Sequence, residues 1–179
     1  MPLPLGHTAI GLATYDTLQP SNGDPSRLGT IAFITLMANL PDVDVVLGLM
    51  MHGNGNFFHR GPTHSLVFAL VAGYLGAHLW RLGGRIPRIG FGVCFGLVLS
   101  HVLADMVFTT APVSLLWPFQ VYWSPGFAGP ENVLQAVLFQ NFQDVGLIVG
   151  SACFVALLRA LRASPKRGRI PALAFRRWK

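Results

Sequence analysis

Four long apolar segments constrain the fold of this chain more than any other feature. They occupy residues 28–51, 64–80, 89–111 and 145–158, and they approach the roughly 20 residues that a bilayer-crossing α-helix needs. Hydrophobic residues make up 52% of the 179 residues, charged residues only 11%, and the mean hydropathy is +0.51, outside the usual range of soluble proteins. These features predict an all-α protein, a polytopic membrane helical bundle of four to five transmembrane helices with an additional surface helix.

Two further apolar segments leave the number of helices open. Residues 3–18 fit a fifth span, a re-entrant helix or an interfacial helix, and they lack the basic start of a cleavable signal peptide. Residues 112–143 are rich in proline, but the stretch VLQAVLFQNFQ at 133–143 has apolar residues at helical spacing. That spacing predicts a helix that lies on the membrane surface.

Positive charge is concentrated near the end of the chain. Eight of the 13 lysines and arginines lie between Arg159 and Lys179, directly after the last apolar segment, and a short basic loop at 81–88 lies two crossings earlier. Basic residues beside transmembrane helices are typical of the cytoplasmic side, where they also attract anionic lipids. We therefore predict a membrane domain at 1–163, a basic cytoplasmic tail at 164–179, membrane lipids as partners, and no binding of nucleic acid.

Three aspartates interrupt the apolar segments. Asp42 and Asp44 follow Pro41 in the first segment, and Asp105 lies in the third. A carboxylate near the centre of a membrane helix costs at least about 2.5 kcal/mol, so such residues normally face a cavity, a partner or a metal ion. His101 precedes Asp105 by four residues and shares its helix face, as two ligands of one ion require. Pro41 disrupts its helix and could turn both neighbouring carboxylates towards one site.

The residue types and their depth favour a particular kind of metal site. Imidazole and carboxylate ligands together favour zinc, with manganese or iron as alternatives, whereas carboxylates alone would favour magnesium or calcium. If both basic regions are cytoplasmic, Asp42, His101 and Asp105 lie roughly 21, 18 and 24 Å along their helices at 1.5 Å per residue. All three then reach the outer half of the membrane, where His59 and His64 precede and begin the second segment.

Five short motifs carry a family resemblance. They are GHTAIG at 6–11, NLPDVD at 39–44, HRGPTHS at 59–65, SHVLAD at 100–105 and LLWPF at 115–119. In this order and setting the chain resembles a family of bacterial and archaeal membrane-bound, metal-dependent hydrolases. That family is associated with the inner membrane, is under SOS-repressor control in some bacteria, and is distantly similar to zinc-dependent phospholipases C. The resemblance covers residues 6 to about 160, although the stretch WSPGFAGP departs from it.

The resemblance implies a multi-pass protein of the inner membrane with a metal site. The implied ligands are His7, Asp42, Asp44, His59, His64, His101 and Asp105. These seven residues exceed the roughly three protein ligands of a catalytic zinc ion, so they favour two ions, or one ion with several supporting residues.

A hydrolytic mechanism follows as a hypothesis. The metal lowers the pKa of a bound water, Asp44 or Asp42 orients or deprotonates that water, and the hydroxide attacks an ester or phosphoester. Arg60 would pair with a phosphate oxygen, or would anchor the chain at the membrane interface. A site at headgroup depth points to a lipid or lipid-linked substrate.

Other interpretations of the same residues stay open at this point. Buried histidines and aspartates also form hydrogen bonds between membrane helices, and a small transporter or a proton- or metal-handling protein could use the same cluster. A scaffold without activity would explain the apolar segments but not the concentration of ligands. Thr63 and Ser65 are expected to cap the helix that follows them, and His52 and His78 match no motif and are expected outside the site.

Overall fold

Helices dominate the part of the chain that the structure describes. The computed structural model describes residues 4–19, 28–83, 86–109, 111–119, 121–122 and 143–163. Within these ranges the chain forms α-helices and short 3-10 helices and no strand, which confirms the all-α prediction. The α-helices are α1 (Pro4–Leu18), α2 (Leu28–Asn39), α3 (Val43–His52), α4 (Leu66–His78), α5 (Phe91–Phe108) and α6 (Gln143–Ala163). The 3-10 helices cover Leu40–Asp42, Pro62–His64 and Leu79–Leu82.

Three helical segments are long and apolar enough to cross a membrane. They are Leu28–His52, Phe91–Phe108 and Asp144–Ala163, and they match three of the four predicted spans. The fourth predicted span, 64–80, corresponds to Leu66–Leu82, which is apolar but shorter. Helix α1 has 15 residues. It therefore measures about 22 Å at 1.5 Å per residue, less than the roughly 30 Å of a hydrocarbon core.

Two predicted segments fall largely or wholly outside the described residues. The predicted surface helix at 133–143 overlaps them only at Gln143, where α6 begins. The predicted basic tail at 164–179 follows the last described residue of α6. Both segments stay predictions.

Helix α5 is the centre of the bundle, where it contacts α1, α2 and α4, while α6 packs against α1. The core between these helices is apolar and includes Ile34 and Leu97, which have no exposed surface. A small residue allows α1 and α2 to approach closely, since a Cβ atom on Gly11 would lie 2.6 Å from the Cβ atom of Ala38. This close contact brings the first turns of α1, with His7, against α5.

Pro41 interrupts the first span, as predicted. Helix α2 ends at Asn39, a 3-10 turn follows, and α3 begins at Val43. Proline has no N–H to donate to the preceding turn, so regular α-helical hydrogen bonding stops there. Asp42 therefore ends the 3-10 turn, whereas Asp44 lies in the first turn of α3.

Hydrogen bonds fix both ends of the HRGPTHS motif at 59–65, which lies between α3 and α4. The carbonyl of Arg60 accepts a hydrogen bond from the Ser114 N–H at 3.2 Å, which ties this motif to the segment that contains LLWPF. The Ser65 hydroxyl accepts a hydrogen bond from the Phe68 N–H at 3.1 Å and caps α4, as predicted. Both contacts hold the intervening histidines against the bundle.

Candidate metal centre

All seven predicted metal ligands lie in one cluster. They come from α1, from the 3-10 turn after α2, from α3, from the segment before α4 and from α5. Among the described residues, three overlapping groups have ligand atoms close enough to hold one ion. The groups are His7, His101 and Asp105; Asp42, His64 and His101; and Asp44, His59 and His64. His52 and His78 belong to no such group, as expected.

His64, His101 and Asp42 place three potential ligand atoms at the spacing of a metal site. The two Nε2 atoms are 3.3 Å apart, and Asp42 Oδ1 lies 3.3 Å from His101 Nε2 and 3.7 Å from His64 Nε2. Ligands at about 2.0–2.1 Å from a tetrahedral zinc ion are about 3.3 Å from one another. The three atoms can therefore occupy three corners of a tetrahedron and leave the fourth corner open.

The backbone of α2 sets the orientation of His101. Its Nδ1 donates to the carbonyl oxygen of Ala38 at 2.7 Å, in the turn that precedes Pro41. With the proton on Nδ1, His101 Nε2 keeps its lone pair for an ion. A carbonyl partner of this kind is typical of metal-ligating histidines. The proline break thus contributes to the centre, because it leaves the last turn of α2 without its full set of N–H donors.

Asp44 holds the imidazole rings of two histidines. Its Oδ1 lies 3.1 Å from His59 Nδ1, and its Oδ2 lies 3.2 Å from His64 Nδ1. A carboxylate that accepts from Nδ1 leaves Nε2 available to a metal ion, as in carboxylate–histidine–zinc arrangements. The Thr63 hydroxyl donates to the same Oδ2. The prediction that Thr63 caps α4 is therefore wrong, and sequence reasoning missed its contact with the cluster.

His7, Asp105 and Arg60 extend the cluster towards α1. The His7 ring stacks on the His101 ring with centroids 3.7 Å apart, and His7 Nε2 lies 3.4 Å from Asp105 Oδ1. Asp105 Oδ2 accepts a hydrogen bond from Arg60 Nε at 3.2 Å. Arg60 has a φ of 65°, a left-handed conformation that is uncommon for residues other than glycine. Backbone strain therefore coincides with the residue that brings a permanent positive charge to the cluster.

The charges of the cluster fit a divalent cation. Three aspartates and one arginine give a net charge of −2 when the imidazoles are neutral. A buried charge without a partner is strongly destabilising, and one divalent ion would balance the net negative charge of the three aspartates and Arg60.

Several buried polar atoms of the cluster have no hydrogen-bond partner among the described residues. They are both ring nitrogens of His7, Asp42 Oδ1, His59 Nε2 and Asp105 Oδ1. Buried polar atoms nearly always have a partner in folded proteins, so a group of exceptions indicates a ligand. Imidazole nitrogens and carboxylate oxygens are atoms that zinc, manganese and iron bind, so these residues fit such an ion.

Access to the centre lies beside Asp42 and Arg60. Their side chains are 17% and 14% exposed, whereas those of His64, His101 and Asp105 are fully buried. A molecule that approaches the cluster therefore meets one aspartate and one arginine first.

These observations define a helical membrane protein with a buried cluster of histidines and aspartates. The chain belongs to the YdjM inner membrane protein family, which matches residues 1–168. Inner membrane protein YbcI of Escherichia coli (strain K12) is 37% identical to it over 146 residues, which cover 78% of this chain and 79% of that protein. No solved structure matches the chain. The family and the apolar helices support the predicted inner-membrane location, and neither name states a reaction.

Proposed function

We propose that this protein is a metal-dependent hydrolase that cleaves an ester or phosphoester in a lipid or lipid-linked substrate. The observation that carries the proposal is the set of His64 Nε2, His101 Nε2 and Asp42 Oδ1, which lie 3.3 to 3.7 Å from one another beside the exposed edge of a buried cluster. Zinc is the best match to these ligands, with manganese and iron as alternatives. When bound, the ion would supply Lewis acidity and lower the pKa of a water molecule.

One ion is the simpler occupancy of this cluster. All three candidate groups use His64 or His101, and each of these rings has only its Nε2 free. An ion held by both rings and Asp42 leaves His7, His59 and Asp105, but these three do not form one of the groups whose ligand atoms all lie within 4.8 Å of one another. A catalytic zinc ion normally uses three protein ligands, so we favour one ion, with a second ion as the alternative.

The residues around the ion have separable roles in the proposed reaction. Asp44 orients His59 and His64 through their Nδ1 atoms and does not need to touch the substrate. Asp42 is the carboxylate nearest the opening, so it is the best candidate to accept a proton from water. Arg60 lies at the same opening and would bind a phosphate oxygen, since a guanidinium group suits phosphate geometry.

The position of the cluster along the helices supports a lipid substrate. Helix α1 runs from His7 in the cluster to Asp16, whose Oδ1 accepts a hydrogen bond from Arg159 Nη2 at 2.6 Å. Their separation of nine positions corresponds to about 14 Å along the helix. In the proposed orientation this arginine lies near the cytoplasmic face, so the cluster of a multi-pass protein lies about half-way across the roughly 30 Å hydrocarbon core, at the depth of lipid chains.

Elemental analysis of detergent-purified protein tests the metal. The wild type should be compared with a His101→Ala, Asp105→Ala double variant and with His78→Ala, whose imidazole lies outside the cluster and contacts the Tyr74 carbonyl. We expect one or two ions per chain in the wild type and the control, and none in the double variant. Wild-type protein that holds no ion after reconstitution with zinc, manganese or iron would contradict the proposal and favour a transporter.

Product release tests the reaction. The metal-loaded protein should release phosphate or fatty acid from lipid phosphates or phospholipids in mixed micelles. Asp42→Asn should abolish this release. Full release by that variant would exclude the proposed role of Asp42.

A further inference from the structure

A large apolar groove lies between α1, α5 and α6. Its cavity volume is about 670 Å³, within the roughly 300–1,000 Å³ of ligand sites. Phe108 and Phe154 line it and are 42% and 48% exposed, so the groove is open along its side. Each of the three helices contributes to its walls. Representative lining residues are Ile10, Thr14, Leu103, Phe108, Gly150 and Phe154.

The groove offers a ligand few hydrogen bonds. The Thr17 hydroxyl donates to the Ala13 carbonyl at 2.7 Å, and the Ser100 hydroxyl donates to the Leu97 carbonyl at 2.8 Å. Two of the four hydroxyl groups in the lining are therefore satisfied within their own helices. Such a surface favours a ligand that needs no hydrogen-bond partner, because a polar group buried there would lose its hydration without compensation.

Helix α5 forms a wall that the groove shares with the candidate metal centre. Ser100 and Ala104 line the groove. Each is the immediate neighbour of a cluster residue, His101 or Asp105. The groove and the centre are therefore adjacent sites on one helix.

Helix α1 gives the groove its direction. Ile10 and Thr14 line the groove and follow His7 at spacings of three and seven residues, which keeps all three on one helix face. The lining continues to Leu18. From Ile10 this is about 12 Å along the helix. On α1 the groove thus runs away from His7, whereas on α5 it passes alongside His101 and Asp105, from Ser100 to Phe108.

We propose that this groove binds one acyl chain of a membrane lipid and thereby positions the ester or phosphoester of that lipid at the metal centre. The inference rests on the proposed function, because the metal centre defines where the headgroup lies. The apolar lining, the open side and the length along α1 suit a hydrocarbon chain that enters from the surrounding bilayer. The chain would be held by van der Waals packing against the groove walls, because lipid tails are as apolar as these side chains and no hydrophobic driving force acts within the bilayer.

Two glycines on α6 allow the groove to be filled without displacing a helix. A Cβ atom on Gly146 or Gly150 would have no heavy atom within 4 Å. Val149 is 55% exposed and is not among the lining residues. Gly150→Trp therefore puts an indole ring in the groove, Gly146→Trp does the same one turn earlier, and Val149→Trp adds the same ring outside it.

Photolabelling of the full chain tests the groove. The protein is reconstituted in vesicles of phosphatidylethanolamine and phosphatidylglycerol with a phosphatidylcholine probe that carries a diazirine on one acyl chain. Labelled residues are then mapped by mass spectrometry. Wild type and Val149→Trp should be labelled on the groove faces of α1, α5 and α6. Gly150→Trp should reduce this labelling at least about tenfold, which corresponds to about 1.4 kcal/mol of binding free energy.

The experiment distinguishes a groove that binds no acyl chain from a protein that is not a hydrolase. Equal labelling of Gly150→Trp, Gly146→Trp and Val149→Trp, or label confined to other helix faces, would overturn the groove even in a protein that holds metal and is active. A groove that is labelled in the wild type and blocked in Gly150→Trp, in a chain that binds no metal, would refute hydrolysis and leave the groove as a lipid site.

Discussion

His64 and His101 face each other through their Nε2 atoms at 3.3 Å, although 37 residues separate them in the chain. The Nδ1 of His101 donates to the Ala38 carbonyl, and the Nδ1 of His64 lies beside Asp44 and Thr63. With both protons on Nδ1, neither Nε2 can donate a hydrogen bond to the other. The two Nε2 lone pairs therefore face each other within the buried cluster. A cation between the rings makes this contact favourable.

Removal of the metal should therefore destabilise the protein. An ion that is free at 100 times its Kd contributes about 2.7 kcal/mol to the free energy of unfolding. Adding a chelator to the detergent-purified wild type should lower its Tm, measured by differential scanning fluorimetry. The His101→Ala, Asp105→Ala variant should not respond. An equal fall in both proteins would show that the chelator acts elsewhere.

Asp44 and Asp42 should respond differently to the same substitution. In Asp44→Asn the amide oxygen can accept from one imidazole only, so the second ring loses its orientation. We expect metal affinity to fall roughly 10- to 100-fold while a saturating metal concentration still fills the site. Asp42→Asn replaces a charged ligand with a neutral amide oxygen and should lower the metal affinity more than Asp44→Asn does. Competition with a chelator of known affinity measures both, and identical losses would contradict the distinction between an orienting residue and a ligand.

Arg60→Gly should separate backbone strain from charge. Arg60→Gly and Arg60→Ala both lose the hydrogen bond to the buried Asp105, but glycine adopts the φ of 65° found here without strain, so Arg60→Gly should have a higher Tm than Arg60→Ala. The loss of the guanidinium should raise the KM for a phosphoester substrate, since a hydrogen bond to a charged group contributes about 1.5–3 kcal/mol, roughly 10- to 100-fold. Arg60→Ala is the matched control, because it removes the same charge but keeps the strain. An unchanged KM in both variants would remove Arg60 from the proposed site.

Local helix geometry made part of this arrangement predictable. His101 and Asp105 are four residues apart, and they do share one buried face of α5, because 3.6 residues per turn leave no other result. Pro41 does break the first span, since the missing N–H acts within a single turn. Both predictions depend only on residues that are close in the chain.

The difference between Asp42 and Asp44 could not be predicted in the same way. Both carboxylates follow Pro41 within three residues. Their roles depend on how the HRGPTHS segment packs beside each carboxylate. Thr63 shows the same limit, because the capping rule is local and Ser65 already satisfies it, whereas its hydrogen bond to Asp44 joins residues 19 positions apart. The groove arises from the packing of three helices and has no signal in any one of them.

The close approach of α1 and α2 should be sensitive to side-chain size. Gly11→Leu forces these helices apart, because even a Cβ atom would lie 2.6 Å from the Cβ atom of Ala38. Overpacking of this kind typically costs about 1–3 kcal/mol, and here it should also move His7 away from Asp105. The Tm should fall. Gly92→Leu on α5 is the control, since a Cβ atom there meets nothing within 4 Å, and an equal fall in that variant would contradict the packing argument.

The proposed orientation predicts which ends of the helices face the cytoplasm. Arg88 stacks on Trp80, 4.0 Å from the ring centroid, in the basic loop that precedes α5. This loop and the chain after α6 should lie on the cytoplasmic side. Fusions of a fluorescent protein that folds only in the cytoplasm, placed after residue 163 and after residue 55, should be bright and dark respectively. Bright fusions at both positions would refute the proposed topology.

The cluster is assembled from five separate elements, so its completion depends on the order in which the chain enters the membrane. His101 and Asp105 lie on α5. The other ligands precede them by at least 37 residues. A partly synthesised chain that ends before α5 cannot form the Asp42, His64 and His101 set. An ion held by this set would therefore be fully coordinated only after α5 has inserted and docked, and metal affinity would distinguish a correctly assembled protein from one that has merely reached the membrane.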